Sequence, residues 1–193
     1  MKKSTIILLV VAAGLVLWGI SAYNGLVSME ETVEKSWADV ESQYQRRADL
    51  IPNLVNTVKG YATHEQSTLE GVVEARSKAT QITVSAGELT PEKLAEYQAA
   101  QGAVSSALGK LLAITENYPD LKANQNFLEL QAQLEGCENR IAVARKDFNA
   151  VAREYNTAVR RFPKSIFAAI FGFDRKPYFE AEAGAEKAPT VNF

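Results

Sequence analysis

The sequence predicts an all-α protein: an N-terminal transmembrane helix followed by a bundle of long helices. Three observations carry that expectation. No charged residue occurs from Ser4 to Met29, and about 20 apolar residues suffice to cross a bilayer. Proline and glycine are sparse between Glu30 and Phe162, and nothing there alternates at the two-residue period of a strand. A two-position heptad then runs without interruption through the last third of the chain.

The first element is the anchor. Lys2 and Lys3 precede the apolar run, and Trp18 and Tyr23 fall toward its far end, where amphipathic rings favour the membrane–water interface. The same basic start suits a cleaved signal peptide. The run is long for one, however, and Ile20-Ser21-Ala22 is a poor cleavage site. No cysteine near its end could take a lipid. Lys2 and Lys3 before the span outnumber Lys35 after it, which favours a cytoplasmic N-terminus and an extracytoplasmic body.

Directly after the span, Val33, Trp37, Val40 and Tyr44 repeat at three-four spacing, and Ile51, Leu54 and Val58 resume it. Between them Arg47 stands on the apolar seam and Pro52 interrupts the run. Two readings follow. The chain reverses near Arg46–Asp49, with Asp49 as the cap of a new helix and Pro52 in its first turn, giving four antiparallel helices. Alternatively one helix bends at Pro52 and only three long helices result. Arg47 on the seam favours reversal, and the resumed register favours continuity. Leu69, Val72, Val73 and Ala79 mark the next helix. The one after it starts at Thr90, a cap, with Pro91 at the first helical position.

The heptad helix follows Tyr118-Pro119, with Asp120 as its expected cap. Phe127, Leu134, Ile141, Phe148, Tyr155 and Phe162 form one seam, and Leu130, Cys137, Ala144, Val151 and Ala158 the other. Phe162-Pro163 ends it. In the four-helix reading this helix descends to the membrane and delivers KSIFAAIFGFDRKPYF beside it. The expected division is therefore an anchor over 1–25, a bundle over 26–162, an aromatic segment over 163–180 and a disordered tail over 181–193.

Catalytic groups are scarce. A single cysteine permits no intrachain disulfide, and a single histidine excludes two-histidine metal motifs. Cys137 on the seam reads as a small buried hydrophobe. His64 and Glu65, being adjacent, do not converge on a helix. Glu70, Glu74 and Glu138 lack the repeated Glu-x-x-His of carboxylate metal bundles. A net charge of -2 gives no basic footprint for nucleic acid. No enzyme, cofactor or metal is expected, and no nucleic-acid partner. The candidate contact residues are Arg46, Arg47 and Asp49, and the aromatic cluster Ile166, Phe167, Ile170, Phe171 and Phe173. Arginine is enriched at interfaces, and large exposed apolar patches mark contact surfaces with protein or lipid. Asn149 and Asn156, beside the seam, read as solvated.

Several phrases together resemble the bacterial LemA family: YNGLV after the span, SWADVESQYQRRADLIPNLVNTVKGYATHE, the heptad stretch from YPDLKANQ to YNTAVRRFP, and FGFDRKPYF. The resemblance covers nearly the whole chain. It implies a membrane-anchored, antiparallel up-and-down four-helix bundle, and so favours reversal at Arg46–Asp49. It implies no catalytic or cofactor-binding residue. The anchor, the rigid heptad helix and the two contact candidates lead us to expect a non-enzymatic, self-associating scaffold at the bacterial cell envelope, single-pass in the inner membrane. It would be a homo-oligomer that meets lipid through its N-terminal helix. The alternative is an adaptor that regulates a membrane protease or an envelope stress-response protein.

Overall fold

The computed structural model describes residues 3–62 and 64–180. Among them are six α-helices and no strand. The tail expected over 181–193 lies outside the described residues.

Helix α1 (Lys3–Lys59) is one uninterrupted element of 57 residues, roughly 85 Å long at 1.5 Å per residue. A single buried stripe runs down it: Gly19, Ala22, Leu26, Val33, Trp37, Val40, Tyr44, Arg47, Ile51, Leu54 and Val58. The three-four spacing that resumes after Arg47 is therefore the stronger signal, and the reversal expected at Arg46–Asp49 is absent. Pro52 lies on the exposed side of the continuous helix. The chain turns instead after Lys59, where the Tyr61 and Ala62 amides both donate to the Val58 carbonyl at 3.0 and 2.9 Å.

Helix α2 (Gln66–Gln81) packs back on α1 and buries Leu69, Val72 and Ala79, but leaves Val73 exposed. A 3-10 turn (Ala86–Glu88) leads to α3 (Pro91–Thr115). Thr90 caps α3 by accepting from the Lys93 amide at 3.2 Å, with Pro91 in the first turn. The short α4 (Pro119–Lys122) takes up the residues expected to start the heptad helix. Helix α5 (Gln125–Arg160) begins five residues after Asp120, and its cap is Asn124, which accepts from the Phe127 amide at 3.0 Å.

Shared core contacts fix the directions. Phe127 and Leu134 of α5 pack with Ile51, Leu54 and Val58 of α1. Phe148, Tyr155 and Val159 pack with Leu26, Val33 and Trp37. Helix α5 therefore runs antiparallel to α1 and returns to the anchor end. Helix α3 runs the other way, with Tyr97 near Trp37 and Leu108 near Leu54. The first heptad seam is buried from Phe127 to Tyr155, each large side chain contributing about 1.5–3 kcal/mol. The second drifts: beyond Phe148 the buried partners are Ala152, Asn156 and Val159 rather than Val151 and Ala158. A straight helix advances past a strict seven-residue repeat by about 20° per heptad, and here a C-terminal segment covers the face that results. Phe162 lies past the helix end and is 77% exposed.

Helix α6 (Lys164–Phe171) follows. Gly172 closes it with φ +75, and the Phe173 amide donates to the Ala168 carbonyl at 3.0 Å. This left-handed closure suits glycine and turns residues 173–180 back along the body.

Candidate functional site

The aromatic segment lies against the exit of the apolar run. The Phe167 ring packs on Gly19 so closely that a Cβ there would stand 3.0 Å from it, and Trp18 meets the same ring edge-on with centroids 5.4 Å apart. Tyr23 contacts both Phe171 and Phe173, at 4.9 and 5.6 Å. Phe173 is buried, whereas Ile166, Ile170 and Phe171 remain 49%, 68% and 55% exposed. The segment thus divides into seating residues and an open apolar face.

Beyond Gly172 an extended strap is clamped by two asparagines. Asn156 donates to the Lys176 carbonyl and accepts from the Lys176 amide, both at 2.8 Å. Asn149 does the same for Phe179, at 2.9 and 2.8 Å. The spacing is a physical match. Seven helical residues advance roughly 10.5 Å and three extended residues roughly 10 Å, so one side chain per two turns meets every third strap residue. Phe179 stacks on Trp37 and meets Phe148 edge-on, and Lys176 pairs with Glu30 of α1 at 2.7 Å. Asn156, expected in solvent, is 3% exposed. Residues seven apart with an amide side chain were the available signal for this clamp.

Arg47 is not at a turn. It is 2% exposed, and its guanidinium donates to Ser105 Oγ (2.6 Å), Glu138 Oε1 (2.8 Å), the Gln101 carbonyl (2.9 Å) and Gln101 Oε1 (2.7 Å). It also lies over the Tyr44 ring. These groups form a polar layer across α1, α3 and α5, between one apolar cluster ending at Tyr44 and Tyr97 and another beginning at Ile51 and Val104. Arg46 and Asp49 are exposed on the outer side of α1, with Gln45 donating to Asp49 at 2.7 Å. The structure does not bring the three together. Next to the layer a cavity of about 310 Å³ opens, lined by Glu41, Tyr44, Arg76 and Tyr97 among others. Burial pushes the Glu41 carboxyl above its usual value, opposed by the Trp37 indole.

Arg76 resolves what Pro52 leaves open. A proline supplies no N–H to the carbonyl four residues back, here Ala48. Arg76 Nε of α2 donates to the Ala48 carbonyl at 2.6 Å. Cys137 is buried, with its thiol against the Gln43 carbonyl at 3.3 Å, and burial raises its pKa, the reverse of a reactive thiol. His64 is exposed in the α1–α2 turn. Among the described residues no group of three His, Cys, Asp or Glu side chains is placed to hold a metal ion.

These features define an all-α protein in which the helix long and apolar enough to cross a membrane is also the central helix of the body. The LemA family profile matches residues 36–193, and the chain belongs to that family. It is 32% identical over 184 residues to the magnetosome protein MamQ of Magnetospirillum gryphiswaldense, covering 84% of this chain and 66% of the relative. It is 29% identical over 185 residues to MamQ 1 of Paramagnetospirillum magneticum, covering 85% and 66%. To the protein LemA of Metamycoplasma hominis it is 24% identical over 139 residues, covering 72% and 60%. The chain thus spans just under two thirds of the length of the MamQ relatives and less of the LemA relative.

Proposed function

We propose that the protein is a non-enzymatic, membrane-anchored scaffold whose helical body self-associates at the bacterial cell envelope. It would be single-pass in the inner membrane, with a cytoplasmic N-terminus. The observation that carries this reading is the continuity of α1 from Lys3 to Lys59. No flexible linker separates the apolar run from the body, so every copy in a bilayer stands at the same angle and presents the same faces to its neighbours. Confinement to a plane raises effective concentration and makes weak lateral contacts productive. Arg46 and Asp49, exposed on the outer side of α1, are the lateral contact offered.

An apolar groove of about 680 Å³ between α1 and α2, lined by Val55, Leu69 and Val73, favours a second reading. There the body is an adaptor for one membrane protease or stress-response partner. The mass of the gently detergent-extracted full-length chain, by mass photometry, separates the two. A discrete oligomer is expected. A monomer with one dominant co-purifying protein would replace the scaffold with the adaptor.

A further inference from the structure

We propose that α6 and its flanks form a binding site for anionic phospholipid headgroups at the exit of the membrane anchor. The inference rests on the reading of α1 as a bilayer-spanning helix, and not on self-association. Contact with Trp18, Gly19 and Tyr23 sets its depth. A span that starts near Lys3 and needs about 20 residues ends at those positions, so α6 lies at the headgroup level.

Charge identifies the lipid class. The chain carries a net charge of -2, yet residues 160–176 hold Arg160, Arg161, Lys164, Arg175 and Lys176 against the single acid Asp174. Lys176 is buried and paired with Glu30. The other four make no ion pair among the described residues. Lys164 Nζ lies beside Gly25 of α1, which places one cation at the anchor itself.

Between these cations α6 exposes Ile166 and Ile170 outward while Phe167 and Ala168 face the protein. An exposed apolar face flanked by unpaired basic residues is the arrangement of interfacial helices on anionic membranes, where the apolar side enters the acyl boundary and the cations meet phosphate. The long Lys and Arg stems let their heads reach the headgroups from a partly apolar seat. With α1 in a bilayer, headgroups lie at this level, whereas a protein partner would need an acidic surface held at the same depth.

The test uses the full-length chain in nanodiscs of phosphatidylcholine alone or with phosphatidylglycerol admixed, reading amide hydrogen exchange of residues 164–171. Exchange is expected to slow about tenfold in the phosphatidylglycerol discs, with the difference erased by high salt and by the combined variant Arg160→Gln, Arg161→Gln, Lys164→Gln and Arg175→Gln. Equal exchange in both lipids would overturn the proposal, and the wild-type comparison stands even if the variant fails to fold. Protection that follows the number of chains per disc would make α6 a subunit contact instead. Equal protection from glycerol phosphate in phosphatidylcholine discs would make this a soluble-anion site. A chain that does not enter the discs at all would refute the spanning helix, and the lipid site with it.

Discussion

Pro52 and Arg76 are predicted to be energetically coupled across 24 positions of sequence. Ala48 is 9% exposed and lines the cavity beside Arg76, so water only partly serves a carbonyl that Pro52 leaves without its helical donor, and Arg76 Nε supplies the bond at 2.6 Å. Arg76→Met keeps the side-chain length and removes the donor. It should cost about 1.5 kcal/mol, within the 1–3 typical of an orphaned buried group. Pro52→Ala restores the N–H. A helix-interior proline costs about 3 kcal/mol relative to alanine, but the Arg76 bond already offsets part of that, leaving a gain of about 1–2. In the Pro52→Ala background Arg76→Met should cost only a few tenths, because Ala48 then has its backbone partner. The coupling is therefore about 1 kcal/mol, against a scatter of about 0.3–0.5 for independent sites. The assay is urea unfolding of the full chain in detergent micelles, followed by far-UV circular dichroism, with unchanged slopes as the check on two-state behaviour. Additive single effects would refute the argument that Arg76 substitutes for the missing amide.

Three further outcomes follow from the same contacts. Arg47→Met should destabilise the body by about 3 kcal/mol, toward the low end for a broken buried pair because the Glu138 side chain is 44% exposed and rehydrates; a loss under about 1 kcal/mol in the same unfolding assay would contradict it. Asn156→Leu should leave the Lys176 amide and carbonyl unmatched and release the strap locally by about 2 kcal/mol, visible as faster exchange of the Lys176 amide while α5 stays protected. Unchanged exchange there would mean that the remaining ties, Asn149 to Phe179 and Lys176 to Glu30, hold the strap without Asn156. Glu41→Gln concerns pH. The folded-state pKa of Glu41 is raised by burial, so the charged form is disfavoured in the native state and the wild type loses stability as pH rises through that value. The variant should melt higher than wild type at pH 7, with the difference fading as pH falls below the usual carboxylate value; a pH-independent difference would rule out burial of this carboxylate as the cause.

The elements that the sequence made legible are those specified by local periodicity. The stripe from Val33 to Val58 and the seam from Phe127 to Tyr155 each announce a helix and the face it buries, because apolar spacing is a property of neighbouring residues. Arg47 was not legible. A guanidinium on a seam reads as a break unless its partners are known, and Gln101, Ser105 and Glu138 lie 54, 58 and 91 positions away. The same holds for Asn149 and Asn156, whose partners are backbone groups of a segment with no periodicity of its own. The aromatic content of 163–180 was plain in the sequence. Its division into Phe167 and Phe173, which seat the segment, and Ile166 and Ile170, which stay open, depends on a gap at Gly19 that only the folded chain reveals.

That division bears on how a scaffold could use its anchor. A single transmembrane helix leaves a body free to tilt wherever the helix bends at the bilayer surface. Here α6 is wedged against Trp18 and Gly19 on one side, and the strap that leaves it is tied to α5 by Asn156 and Asn149 and to α1 by Lys176 and Glu30. Tilting the body toward α6 would drive Phe167 into α1, and tilting it away would stretch the strap against four hydrogen bonds from asparagine side chains to its backbone. The C-terminal segment therefore acts as a brace between body and anchor, stiffening the part of α1 where a lone helix is most easily bent. A brace of this kind matters little to a tethered adaptor, which gains reach from flexibility. For copies that must meet edge to edge in a plane it fixes the angle at which each arrives, and fixing that angle beforehand removes part of the orientational cost of association.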